Sequence, residues 1–432
     1  MKERECIAMI LADGCGAGLG ALTNCSGKST VVYGGSHRII DFALSNCSHS
    51  GIDVIGVLTQ CLNGGLGAYV GDGGRWNLSG QGGGAFMLPS RKNEINYRCP
   101  VDAVYRNIGF IEEFSPEYVC ILSGDHIYKM DYAKMLGVHK KNNADATIAV
   151  VPVPFCELGQ YGSVDIDEDE KILNVQPPYA RFPSLGTARG KFAPMGVHIF
   201  NWNTLRRYLI ADDRGSLKDF VSDVVPAMLF AGERLYAHRF EGYWRDVETL
   251  ESLWKSNMDL LDDPPAFVLD EKGHEVFPAH LGQISCFAGG TGTVDRSILS
   301  GLHVILGRVE HSVLSDSVVV EKGAEVVDSI LMPNVYVGEN TKIYKTVVGP
   351  NVKIMNDVEI GAENGASHFL SDRICANGVS LIGPGVYVPE NTRVQKNSCI
   401  ENGLFADNFD FHTVCLDRRY ETCVPPVLLT TA

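Results

Sequence analysis

The 432-residue chain is longer than one ordinary domain, and its length fits about two or three. With 45% hydrophobic and 21% charged residues it belongs to neither the disordered nor the membrane class, and no apolar run reaches bilayer-spanning length. A net charge of -15 argues against nucleic-acid binding, which needs a basic surface, while leaving room for local cationic pockets.

The charged start, Met1 to Glu5, runs directly into a strand-like Cys6–Leu11. That leaves no room for a signal or transit peptide and predicts a cytoplasmic protein with no membrane partner. From residue 6 to about 260, short apolar runs alternate with amphipathic stretches. Ile52–Thr59, Tyr118–Ser123, Ala146–Val153 and Met195–Phe200 read as strands. Arg38–His49, Asp102–Phe114 and Tyr132–Asn142 read as helices, so the first domain, residues 1–261, is expected to be a doubly wound α/β fold. Asp262-Asp263-Pro264-Pro265 opens a linker over 262–295, because consecutive prolines cannot continue a helix.

From about residue 296 the period changes. Ser297-Ile-Leu-Ser-Gly301, Asp328-Ser-Ile-Leu-Met332, Tyr336-Val-Gly338 and Lys345-Thr-Val-Val-Gly349 recur at short, nearly regular spacing. An aliphatic residue at every sixth position, flanked by Gly, Asn and small polar residues, predicts a left-handed parallel β-helix over 296–400. A β-sandwich is the weaker alternative, since its strands and turns need wider spacing. Residues 401–432, with Cys415, Cys423 and Pro425-Pro426, read as an irregular extension. The 13 cysteines are odd in number and lack C-x-x-C pairs or metal-ligand spacing, so most are expected to be small buried hydrophobes.

Two features of the first domain suggest phosphate chemistry. The strand Tyr118–Ser123 empties into Gly124 and delivers Asp125 at its carboxyl end, where open α/β sheets place ligands. A carboxylate there can hold Mg²⁺ beside phosphates, although an Asp that caps the next helix has the same appearance. The glycine-rich turn with Gly14, Gly16 and Gly18 follows the first strand, and Lys28 comes shortly after. It is neither a dinucleotide fingerprint, whose third glycine would fall on Leu19, nor a P-loop, whose first glycine would fall on Leu22.

The chain resembles the ADP-glucose pyrophosphorylases, also called glucose-1-phosphate adenylyltransferases, across about residues 4 to 361. The resemblance rests on Ile7-Ala-Met-Ile-Leu-Ala12, Arg38-Ile-Ile-Asp-Phe-Ala-Leu-Ser-Asn-Cys47 and Gly56-Val-Leu-Thr-Gln60. It continues through Ile121-Leu-Ser-Gly-Asp-His-Ile-Tyr-Lys-Met-Asp-Tyr132, Asn143-Ala-Asp-Ala-Thr147 and Gly242-Tyr-Trp-Arg-Asp-Val247. It implies a nucleotidyltransferase domain with a mixed sheet, and a role in glycogen or starch synthesis. The family reaction joins glucose 1-phosphate to ATP and releases pyrophosphate. Carried over by motif, Asp125 and Asp246 would hold Mg²⁺ and Lys28 would lie at the active site, the catalytic set being Lys28, Asp125 and Asp246. For Asp246, an ordinary surface pair with Arg245 is the alternative.

The resemblance breaks where substrates should bind. The family's Gly-Gly-x-Gly-x-Arg-Leu is Asp13-Gly14-Cys15-Gly16-Ala17-Gly18-Leu19, so the phosphate-gripping arginine is Gly18. Glu-Lys-Pro has become Gln176-Pro177-Pro178, Ala-Ser-Met-Gly has become Ala193-Pro194-Met195-Gly196, and Arg-Phe-Gly has become Gln160-Tyr161-Gly162. Gln176, Gly162 and Pro194 thus stand at the positions expected to contact substrate. Each lost charge-stabilising donor typically costs roughly 10² to 10³ in turnover.

These departures predict a regulatory or catalytically impaired subunit, assembled with homologous subunits in a hetero- or homotetramer and tuning an active paralogue. The resemblance also implies ATP, glucose 1-phosphate and a sugar-phosphate effector as small-molecule partners. The activator-binding basic pair of some bacterial members is replaced by Cys25-Ser26. Arg75, Arg91 and Arg98 are candidates to replace missing charge, in which case the chain would be an active adenylyltransferase. His37, Arg38 and Lys345 read either as an anion pocket between domains or as solvated charges. His303 and His311 read as corner or surface residues of the coil, and not as acyltransferase histidines.

Overall fold

The computed structural model describes residues 4–12, 17–23, 27–60, 65–80, 82–90, 96–154, 158–178, 191–212, 215–278, 285–289, 292–362, 375 and 377–401. The first domain is built on a nine-stranded mixed sheet. Gly84–Pro89, Val54–Thr59, Cys6–Leu11 and Tyr118–Ser123 run parallel in that spatial order. The long strand Lys191–Asn201 then joins antiparallel and carries both Ala146–Val151 and Ser163–Ile166. The central strands are buried on both faces. Ile7 and Met9 pack with Val104 and Leu205 on one side, while Ala8 and Ile10 pack with Ile40 and Met135 on the other. This two-sided burial explains why the strands are continuous apolar runs.

Two helices start and end close to their expected limits, at Ile40–His49 and Tyr132–Lys141. The latter is capped by Asp131, which accepts from the Ala133 N–H at 2.9 Å. The helix expected over Asp102–Phe114 is two, Pro100–Arg106 and Ile108–Glu113. They meet at Asn107, whose amide donates to the Ala103 carbonyl at 2.8 Å and to the Tyr97 hydroxyl at 2.9 Å. Side-chain bonds of this kind compete with helix propagation, and a strictly periodic reading overlooks them.

The second domain is a left-handed parallel β-helix made of three six-stranded sheets. Its strands begin at Ser285–Ala288, which pairs with Leu302–Ile305 inside the segment read as linker. Aliphatic side chains stack in register, Val313 on Ile330 and Ile330 on Val347. Hydroxyls form a second ladder: the Ser329 N–H donates to Ser312 Oγ at 3.0 Å, and the Thr346 N–H to Ser329 Oγ at 3.1 Å. Corners fall at positive φ, notably Asn334, Asn340 and Asn351, which is why Asn recurs there. His311 is one of these corners, with φ 46°, and His303 is buried in the coil.

The two domains share a core in which Leu19, Tyr33, Phe42 and Leu253 pack with Val313, Ile330 and Val347. Trp254 reinforces the junction, donating its indole N–H to the Asp328 carbonyl at 2.6 Å. Among the described residues no helix is long and apolar enough to cross a membrane, and each cysteine is free.

Candidate functional site

The site forms where the Tyr118–Ser123 strand ends. Gly124 makes the approach close: a Cβ there would lie 3.0 Å from the Leu11 carbonyl oxygen and 3.1 Å from Ser29 Oγ. Asp125 follows, with one oxygen accepting from Ser123 Oγ. The short strand His126–Tyr128 pairs antiparallel with Trp244–Asp246, in the register Asp246 to His126. That pairing carries the second acid to the first.

Lys28 lies on a short 3₁₀ turn, Lys28–Thr30, with its side chain 7% exposed. Its Nζ is 3.8 Å from Asp125 Oδ2 and 3.9 Å from Glu248 Oε1. His126 Nε2 lies 3.6 Å from Asp125 Oδ1 and 3.6 Å from Asp246 Oδ1. The structure therefore gathers the expected Lys28, Asp125 and Asp246, and adds His126 and Glu248. Sequence reasoning assigned no role to those two. His126 could have been found from its place beside Asp125, whereas exposed Glu248 carries no comparable signal.

Burial pushes the Asp246 carboxyl up to about 6, and the charges of Asp125 and Glu248 add to the effect against the opposing His126 and Lys28. Asp246 Oδ1 is buried without a hydrogen-bond partner. Arg245 does not supply one, because it turns away to Asp259, 3.2 Å distant. This corrects the alternative in which Asp246 is a surface partner of Arg245. A buried, unbonded carboxylate oxygen beside a second carboxylate fits a divalent cation. Among the described residues no group of three or more His, Cys, Asp or Glu is gathered to hold a metal. The fit is therefore to a cation that takes one or two carboxylates and completes its shell with water and ligand oxygens.

The substrate-facing positions are placed around this centre. Gly162, at φ 80°, packs on the Gln176 to Pro178 segment, where a Cβ would lie 2.5 Å from the Gln176 carbonyl oxygen. Pro194 and Met195 lie on the long strand, and the Met195 carbonyl oxygen is 2.8 Å from His126 Nδ1. Trp244 packs edge-on to both His126 and Tyr161, at centroid distances of 5.5 and 5.1 Å. Gly18 sits so close to the chain after Asp246 that a Cβ would lie 2.0 Å from the Glu248 carbonyl oxygen. Gly14, Gly16, Asp13, Cys25, Ser26 and Arg91 lie outside the described residues.

The other candidate cations are engaged elsewhere. Arg98 pairs with Asp102 at 2.9 Å, and Arg75 stacks over the Tyr69 ring at 4.6 Å. Lys345 donates to the Asn377 carbonyl at 2.7 Å and covers the Trp254 ring at 4.7 Å. His37 is buried, with Nε2 3.0 Å from the Val276 carbonyl oxygen, which corrects its reading as a solvated charge. His37 and Arg38 line an interdomain cavity of about 1170 Å³ together with Asp270 and Asp316, so that its charges are of both signs.

Comparison with known proteins is in keeping with this geometry. The sequence pattern of the nucleotidyl transferase family matches residues 7–263, and that of the GlmU-like C-terminal hexapeptide family matches residues 284–382. The chain is 41% identical to a glucose-1-phosphate adenylyltransferase of Acetivibrio thermocellus over 414 residues, 95% of this chain and 96% of the relative. Proteins of the same name from Desulforamulus reducens and Clostridium perfringens are 41% and 43% identical over 339 residues, 77% of this chain and 84% and 86% of theirs.

Proposed function

Because the chain belongs to the glucose-1-phosphate adenylyltransferase family, we propose that it is a subunit of that enzyme class with weakened turnover of its own, assembled beside an active paralogue. The carrying observation is Gly18. The position matching the family's phosphate-gripping arginine lies against the Glu248 backbone with no space for a side chain. The described arginines considered as substitutes are held by Asp102 or stacked on Tyr69. Pro177 and Gln176 add two more positions where charge toward a sugar phosphate is missing.

Asp125 and Asp246 would hold the divalent cation, Mg²⁺ in this reading, with Lys28 balancing their charge at 3.8 Å from Asp125. When bound, such a cation would supply Lewis-acid polarisation of phosphoryl oxygens. The residues of the chain position the nucleotide and shield its charge, and the deficit falls on that task. Two independent donor losses would lower turnover by roughly 10⁴ to 10⁶.

A second reading, an active adenylyltransferase making ADP-glucose from ATP and glucose 1-phosphate, draws on the retained Lys28, Asp125 and Asp246 cluster. The two separate on purification of the chain alone and with an active paralogue. Weak synthesis alone, with an altered effector response of the mixed assembly, is expected. ADP-glucose formation by the isolated chain at the rate of the active paralogue would reject the first reading.

A further inference from the structure

His126 is fixed on three sides. Its Nδ1 lies 2.8 Å from the Met195 carbonyl oxygen, and since that oxygen only accepts, Nδ1 carries the hydrogen. In the neutral ring this leaves Nε2 with a bare lone pair. Trp244 meets the ring edge-on at 5.5 Å. Gly196, at φ 68°, closes another side, where a Cβ would come within 2.8 Å of the imidazole Cε1. Rotation of the ring would break the Met195 contact or displace one of these neighbours.

So held, Nε2 points at two acids, 3.6 Å from Asp125 Oδ1 and 3.6 Å from Asp246 Oδ1. Both separations exceed a direct hydrogen bond, so the Nε2 lone pair is left to a donor other than these carboxylates. Asp246 Oδ1 is buried and has no other bonding partner. Small hard cations shed their hydration reluctantly and keep several waters when two carboxylates bind them. An imidazole whose far N–H is spent on a backbone carbonyl is the oriented acceptor that such a water needs.

Resting on the reading that Asp125 and Asp246 hold a divalent cation, we propose that His126 is the positioning residue of that site, its Nε2 accepting a hydrogen bond from a water the cation carries. The inference gives a role to a histidine that the reaction otherwise leaves idle. It also gives a reason for a glycine at position 196, where a Cβ would meet the ring.

The test is Mn²⁺ titration of the full chain, followed by electron paramagnetic resonance of the free ion, for the wild type, His126→Asn, His126→Gln and Asp246→Asn. Asparagine reaches the Met195 carbonyl but has nothing at the Nε2 position, whereas glutamine places an acceptor oxygen near it. His126→Asn is expected to weaken Mn²⁺ binding by roughly tenfold or more, and His126→Gln to stay within about threefold of the wild type. Equal affinity in His126→Asn and the wild type overturns the inference, as does an equal loss in both variants, which would point to ring packing alone. Unchanged binding in Asp246→Asn, or no saturable binding by the wild type, overturns the cation reading and this inference with it. Thermal unfolding of each variant checks the fold. Should His126→Asn not fold, His126→Leu against His126→Gln makes the same comparison.

Discussion

Asp246 and His126 are register partners across two antiparallel strands, and their side chains meet with Nε2 3.6 Å from Oδ1. The backbone pairing thus sets the separation of two charged groups that lie far apart in the chain. It also places Asp246 near Asp125 and Glu248, which accounts for part of its raised carboxyl.

Asp246→Asn is expected to raise stability at pH 8 and to change it little below pH 4. A carboxyl raised from 3.8 to about 6 by burial makes the native state bind more protons in that window, so its stabilising contribution is present at low pH and lost as pH rises through 6. The difference at pH 8 should be roughly 1 to 3 kcal/mol, read from urea unfolding of both proteins at pH 4 and pH 8. Equal unfolding midpoints at pH 8 would contradict a native carboxyl raised by burial.

His198 behaves in the opposite sense. Burial beside Phe200 and Phe220 lowers its imidazole to about 4. The unfolded chain therefore takes up a proton near pH 6.5 that the native chain refuses, and stability falls as pH drops from 6.5 toward 4. His198→Phe should flatten this slope, retaining roughly 2 kcal/mol relative to wild type at pH 5 once the two are matched at pH 8. Parallel pH profiles of the two proteins would contradict it.

Gly18→Arg and Pro177→Lys restore the same kind of charge at differently built places. The first puts a side chain 2.0 Å from the Glu248 carbonyl oxygen and should cost about 2 kcal/mol or more without improving ATP binding. Pro177 is exposed, so Pro177→Lys should fold normally and tighten glucose 1-phosphate binding in calorimetry. Recovery of nucleotide binding in Gly18→Arg would show that the loop yields more readily than its packing indicates.

Trp254→Ala should loosen the domain junction. It removes the indole bond to the Asp328 carbonyl at 2.6 Å and the surface under Lys345 Nζ at 4.7 Å. A loss of about 2 to 3 kcal/mol is expected, less than for a fully buried tryptophan. Differential scanning calorimetry would register it as a lower or split transition, and an unchanged scan would mean that the shared aliphatic core alone joins the domains.

Much of the architecture was legible in the linear chain. Tyr118–Ser123 was delimited to the residue, because a strand buried on both faces must be continuously apolar. The coil was legible because each turn repeats the demands of the last: an aliphatic interior at Ile330 and Val347, and an Asn able to take positive φ at Asn334 and Asn351. Less was legible where one side chain bends the backbone, as Asn107 does between two helices.

For the site, residue chemistry at two strand ends pointed to Asp125 and Lys28, since few side chains can meet a cation or a phosphate, and the family resemblance added Asp246. Which atoms face one another was decided by tertiary structure. Strand register brings Asp246 to His126, the Met195 carbonyl turns the imidazole toward the acids, and close packing of Gly18 on Glu248 leaves no space for a side chain. These are distances between segments remote along the chain, and only the folded sheet and its hairpin make them short. Local patterns report what a segment prefers, whereas charge at a site depends on which segments the core has brought into contact.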